Sequence, residues 1–287
     1  MALAFQLTSC NKDEDIIIDN SQENPSQSLG FKVLDYTPAP GQYINDRSNG
    51  SAGITNSEDA CRYAESRFLN SQYVSLGAWG GYIIVKFDES VINSGSYDFS
   101  IGSNSFDTSN EPGIVWVMQD ANANGVPDDE WFELKGSYFL KDGYQRDYWM
   151  TYTKPEAKQP TPWVSKDGES GTIQWLGNYH SQDYYYPEWI KEESITFHGS
   201  LLPSQAFKDD AIGMWTNGAF DWGYADNFGS DFNPDGRFNQ FKISDAVDSD
   251  NNPVELESID FVKVQTAIKD NAGWLGEIST EVTGFYR

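Results

Sequence analysis

Residues 114–135 read IVWVMQDANANGVPDDEWFELK. Short apolar runs, Ile114–Gln119 and Trp131–Lys135, flank a polar stretch built from Asp, Asn, Gly and Pro. Each run is rich in β-branched and aromatic residues, and each is too short for a stable helix. The unit therefore reads as strand, polar turn, strand. The same design continues outward along the chain. Candidate strands are Phe31–Tyr36, Tyr82–Asp88, Tyr97–Gly102, Asp147–Thr153, Ser194–His198, Phe241–Ser244, Ile259–Ala267 and Ile278–Tyr286, separated by stretches rich in Gly, Asn, Asp and Pro. That spacing predicts a mainly β protein, a β-sandwich of jelly-roll type.

One prominent α-helix interrupts the pattern. Asn56 and Ser57 can cap its start, Glu58 and Asp59 suit the positive end of its dipole, and Ala60, Tyr63, Ala64 and Phe68 recur on one face. The expected span is Glu58–Leu69. Residues 154–193 and 200–236 read as long aromatic-rich loops, and loops of that length inside a compact domain usually carry function.

Composition narrows the function classes. Acidic residues number 44 against 19 basic, a net charge of −25, and no basic stripe is present to neutralise phosphates, which speaks against nucleic-acid binding. There are 10 Trp and 16 Tyr, more than core filling ordinarily needs, because buried N–H and O–H groups must find partners. Flat aromatic faces suit sugar rings or a large macrocycle; filling a core poor in Leu and Ile is the plainer role. By loop position and chemistry, Trp79, Tyr179, His180, Tyr184, Tyr185, Trp215, Trp222 and Tyr224 are the candidate ligand-contacting residues. His180 can be a ligand contact, a donor to a metal centre within a ligand, or a satisfied surface histidine. His198 reads as a structural strand residue. The glycines around Trp79 allow close backbone approach of a ligand or simply a tight turn.

The stretch from Asp120 to Asp128 places oxygen side chains at loop positions 1, 3, 5 and 9, with Gly125 at position 6. That matches a calcium loop: Asp120, Asn122, Asn124, the carbonyl of Val126, Asp128 and a neighbouring acid such as Glu130 are the candidate Ca²⁺ ligands. Position 12 is Trp131 rather than a bidentate acid, and a plain polar turn is the competing reading. No nucleophile elbow, HExxH or P-loop is present, so no catalytic residue and no enzyme activity is assigned.

The N-terminus carries a different signal. Residues 1–10, MALAFQLTSC, hold a short apolar stretch ending in Leu7-Thr8-Ser9-Cys10, a lipobox-like sequence that lacks a basic start. Cys10 is the expected lipidation site, with residues 1–10 as signal peptide, 11–30 as export signal and tether, and 31–287 as one ligand-binding domain. Acyl chains contribute roughly 0.8 kcal/mol per buried CH₂, enough in pairs for durable anchoring. With Cys10 lipidated, Cys61 is left without a disulfide partner and reads as a small buried apolar residue.

Several segments together resemble one family of Bacteroidota surface lipoproteins. Behind Cys10, Asn11-Lys12-Asp13-Glu14-Asp15 is similar to the surface-export signal of those proteins. Within residues 31–287 the resemblance rests on DYTPAPGQYIN (35–45), SLGAWGGY (75–82), EPGIVWVM (111–118), DDEW (128–131), YYP (185–187) and GWLGEISTEV (273–282). The resemblance implies a place on the extracellular face of the outer membrane. Members are encoded near vitamin B12 uptake systems, and one branch resembles cobamide-binding lipoproteins. Cobalamin is then the expected bound ligand, with a TonB-dependent transporter and its surface lipoproteins as partners. A calcium-stabilised glycan-binding module is the alternative, and a surface carbohydrate-active enzyme the third reading.

Overall fold

The computed structural model describes residues 30–51, 53–210 and 213–287. The expectations for residues 1–10, Cys10 and the tether up to residue 29 lie outside the described residues. Strands in chain order are β1 (Phe31–Thr37), β2 (Val74–Ser75), β3 (Tyr82–Ile92), β4 (Phe99–Ser103), β5 (Gly113–Met118), β6 (Phe132–Leu134), β7 (Gln145–Thr153), β8 (Thr161–Ser165), β9 (Ser170–Ile173), β10 (Ser194–Leu201), β11 (Ala206–Asp209), β12 (Met214–Asn217), β13 (Phe232–Asn233), β14 (Phe238–Phe241), β15 (Ala246–Val247), β16 (Ser258–Thr266) and β17 (Glu281–Tyr286). The helix, α1, spans Ser57–Leu69.

A six-stranded antiparallel sheet runs in the order β1-β3-β16-β5-β6-β15, and a five-stranded one in the order β13-β14-β4-β17-β2. Period-two alternation decides their facing. In β3, Ile83, Val85 and Phe87 are buried, while Tyr82, Ile84 and Lys86 lie on the opposite face. Val85 pairs with Val33 on one side and Val262 on the other, so apolar residues meet across three strands. Phe87 of the large sheet meets Phe285 of the smaller one edge-on at 6.3 Å, and Phe99 stacks on Phe241 at 5.4 Å. The fold is therefore mainly β and sandwich-like, as the sequence predicts. Helix α1 lies against β1, burying Ala60 and Ala64, and starts at Asn56, whose side chain accepts a hydrogen bond from Asp59 N at 2.9 Å. Cys61 is half-buried at this seam, and burial pushes its thiol up to about 11. Among the described residues no helix is long and apolar enough to cross a membrane.

A third sheet, β10-β7-β8-β9, packs on the outer side of the six-stranded sheet. Phe197 of β10 meets Tyr82 of β3 at 6.3 Å, and Gln265 of β16 donates to His198 O at 3.0 Å. Here the expected loop 154–193 is corrected: it contains the hairpin β8–β9, and 200–236 contains β11, β12 and β13. Pro162 lies inside β8, Gly171 lies inside β9 and both strands are short, so the strand pattern is weak. The expected strand Phe241–Ser244 shifts to Phe238–Phe241, because Asp98 Oδ2 takes the Ile243 N–H at 2.8 Å and a 3₁₀ turn follows. The last strand begins at Glu281, not Ile278, because Ser279 and Thr280 give their N–H groups to Glu111 Oε1 and Thr266 Oγ1.

Candidate functional site

Two loops build a cleft of about 580 Å³, lined by Asp46, Ser48, Tyr179, His180, Gln182 and Asp183 among others. One loop follows β1; the other precedes β10. Amide side chains stitch them together. Asn45 Nδ2 donates to Tyr184 O (2.9 Å) and Tyr186 O (2.8 Å), while its Oδ1 accepts from Glu188 N at 3.1 Å. Gln182 Nε2 donates to Gln42 O (2.6 Å) and Ile44 O (2.9 Å). Asn45 holds a left-handed φ of 60°, a conformation that Asn tolerates better than most residues.

Within this frame Asp46 has two partners. Its Oδ1 accepts from Ser48 N and Ser48 Oγ, both at 2.8 Å, and its Oδ2 lies 3.2 Å from His180 Nδ1. The His180 ring also meets the edge of Tyr43 at 4.8 Å. Nδ1 is thereby occupied, and Nε2 has no hydrogen-bond partner among the described residues. A carboxylate on one ring nitrogen is the usual second support of a metal-binding histidine. Tyr179, 72% exposed, stands at the rim.

The structure does not bring the other expected ligand residues together. Trp79 is 1% exposed, donates to Ser200 O at 3.3 Å and meets Tyr148 edge-on at 5.1 Å. It is core, and so is Tyr224, whose hydroxyl accepts from Tyr138 N at 3.1 Å. Tyr185 is buried too; its hydroxyl accepts from Leu176 N and donates to His180 O, so it supports the histidine's backbone instead of facing a ligand. Tyr184 is half-buried under Lys154, with Nζ 5.5 Å from the ring centre. Trp215 packs on Gly273, where a Cβ would fall 2.1 Å from its Nε1. Trp222 lines a separate cleft of about 370 Å³ with Tyr97, Asp231 and Lys242. Trp79, Tyr185, Tyr224 and Trp215 serve the packing role that sequence periodicity could not separate from a binding role.

The Asp120 turn is self-bonded. Asp120 accepts from Asn124 N (3.0 Å) and Gly125 N (2.8 Å), and Asn124 Oδ1 accepts from Val126 N at 2.7 Å. Asn122 and Asn124 point their amide groups at Asp128, at 3.1–3.2 Å. Lys86 Nζ lies 3.7 Å from Asp120 Oδ2. Glu130 is exposed, and Asp129 turns inward to accept from Ala121 N at 3.0 Å. Oxygen side chains do gather here, with a lysine already beside the first.

Sequence reading missed another cluster. Carboxylate oxygens of Glu111, Asp226 and Glu281 lie within 4.8 Å of one another. Burial, then the neighbouring carboxylates, pushes Glu111 and Glu281 well above the usual range; burial does the same to Asp226. These residues come from three separate segments, so no local spacing announces them. Glu277, also buried, is pushed up to about 7 by desolvation. No protein-family model matches the chain, and no curated protein matches it.

Proposed function

We propose that this chain is a non-catalytic cobamide-binding lipoprotein. It is held by Cys10 on the extracellular face of the outer membrane and passes its ligand to a TonB-dependent transporter. The observation that supports this reading is His180, oriented by Asp46 at 3.2 Å in the wall of a cleft, with Nε2 left for a metal centre in the ligand. Tyr179 offers an exposed ring for the apolar face of a corrin, and the polar rim with Arg47, Ser181 and Asp183 offers partners for the corrin's amide side chains. The ligand brings its own cobalt, so the protein needs to supply only orientation and one nitrogen. In the same reading calcium at the Asp120 turn is structural.

Aquocobalamin tests the idea, because a histidine can replace its axial water and change the visible spectrum. The full-length chain should co-elute with it through gel filtration and shift its absorption. His180→Ala should abolish the shift and weaken binding tenfold or more, about 1.4 kcal/mol. Absence of co-elution at micromolar concentration would overturn the reading. Retention on a polysaccharide gel instead would replace it with the glycan-binding alternative.

A further inference from the structure

Apart from the cobamide reading and on different residues, we propose that the cleft at Trp222 binds the ring of a neutral sugar. The cleft measures about 370 Å³, at the small end for small-molecule sites, and shares no lining residue with the Asp46–His180 cleft. It lies at the seam of the sandwich. Leu134 at the end of β6 and Phe241 at the end of β14, both 2% exposed, give it an apolar base. Tyr97, which precedes β4, completes it together with Trp222 and Asp231 from the loop between β12 and β13.

The loop that carries Trp222 is held in place before any ligand arrives. Trp222 N donates to Ser137 Oγ at 3.2 Å, and Trp222 O accepts from Ser137 N at 2.9 Å. Gly223 N donates to Asp231 Oδ2 at 2.7 Å, and Asp231 O accepts from Gln240 N at 3.1 Å. Gly223 has φ +90°, and a Cβ there would fall 2.4 Å from Gly136 Cα, so the turn fits against its neighbour only as glycine. Binding therefore has little backbone left to order, which favours affinity.

The chemistry of the lining selects the ligand class. Tyr97 is 46% exposed and Trp222 half-buried, and flat rings of this kind suit the C–H face of a pyranose. The Gln240 amide and Trp222 Nε1 have no hydrogen-bond partner among the described residues, and both residues are half-buried, so these groups are left for a ligand or water. Lys242 Nζ stands 5.0 Å from the centre of the Tyr97 ring, and Lys135 Nζ lies 3.7 Å from Asp245 Oδ1. Two lysines thus face two carboxylates, Asp231 and Asp245, so neither an anion nor a cation is favoured. A wholly apolar ligand would strand these polar groups without water. A sugar hydroxyl satisfies both kinds, donating to a carboxylate and accepting from an ammonium or an indole N–H.

Saturation-transfer NMR on the full-length chain tests this, with methyl β-glucopyranoside, methyl β-galactopyranoside and methyl α-mannopyranoside as probes at millimolar concentration. Transfer to at least one probe is expected, strongest at its ring C–H protons. Trp222→Ala should weaken that probe's binding at least about tenfold, and Tyr97→Ala at least about fivefold, the scale of one lost aromatic contact. His180→Ala should leave it unchanged, and failure of a cobamide to bind has no bearing on this result. Silence from all three probes overturns the proposal. Binding that survives Tyr97→Ala does so too, and that exposed position keeps the test decisive should Trp222→Ala not fold. Binding lost with His180→Ala also overturns it, because the sugar then sits in the other cleft.

Discussion

Trp79 separates the two roles open to aromatic residues in this chain. Its ring is 1% exposed, bonded to Ser200 O and packed on the edge of Tyr148, and its own carbonyl accepts from Tyr152 OH at 2.8 Å. Replacing it with alanine removes one of the largest buried side chains and leaves the Ser200 carbonyl without its donor. Truncations of this kind cost about 3–5 kcal/mol. At about 2–4 °C per kcal/mol for a domain of this size, the melting temperature should fall by roughly 6–20 °C. Trp79→Phe keeps most of the edge contact with Tyr148 but loses the N–H, and should cost about 1–2 kcal/mol. Urea unfolding followed by circular dichroism measures both, and an unchanged slope licenses the comparison of midpoints. Aquocobalamin affinity of the folded alanine variant should stay within a few-fold of the parent. A stability loss under about 1 kcal/mol, or a variant that is stable and no longer binds, would refute the assignment of Trp79 to the core.

Other perturbations address other elements. Burial raises Asp231 from 3.8 to about 6, so its contribution is full below pH 3.8 and is lost as pH rises through about 6. Wild type should lose about 2–3 kcal/mol across that window relative to Asp231→Asn, measured by urea midpoints at pH 4 and pH 7.5. Gly77 has φ +72°, and a Cβ there would fall 2.0 Å from Ala39 O. Gly77→Ala should therefore cost more than about 2 kcal/mol, whereas Gly95→Ala, at φ +78° in open space, should cost only about 1 kcal/mol in thermal unfolding. Chelation with EGTA should lower the melting temperature of wild type, and lower it less in the Asp120→Asn, Asp128→Asn variant. Equal shifts in the two proteins would argue against an ion at the turn.

The strands of the sandwich were legible because one face of each is buried and the other is not. Ile83, Val85 and Phe87 alternate with polar or half-buried residues, and that alternation survives in the sequence whatever the partners are. The α1 helix was legible to within a residue because Asn56, Glu58 and Asp59 encode its start locally. The β8–β9 hairpin was not, since Pro162 and Gly171 dilute a short two-sided strand pattern. His180 and Tyr179 stand out in the sequence by their polar aromatic context, whereas Asp46, which bonds to His180, lies 134 positions away and has no local signature. Glu111 and Glu281 are likewise joined only by the fold. Trp79, Tyr185 and Tyr224 stand among the candidate ligand contacts because composition counts rings and says nothing of which way they turn.

The amide stitches under the cleft have a consequence for how its chemistry can change. Asn45 and Gln182 grip backbone carbonyls, at Tyr184, Tyr186, Gln42 and Ile44. Those carbonyls are the same whatever side chain hangs from each position. The frame is thus indifferent to the identities of Tyr179, Ser181 and Asp183, which supply the chemistry of the rim. Substitutions at those positions can change the charge and shape of the cleft while the loops stay where they are, so the chemistry of the rim and the stability of the scaffold are set by different residues.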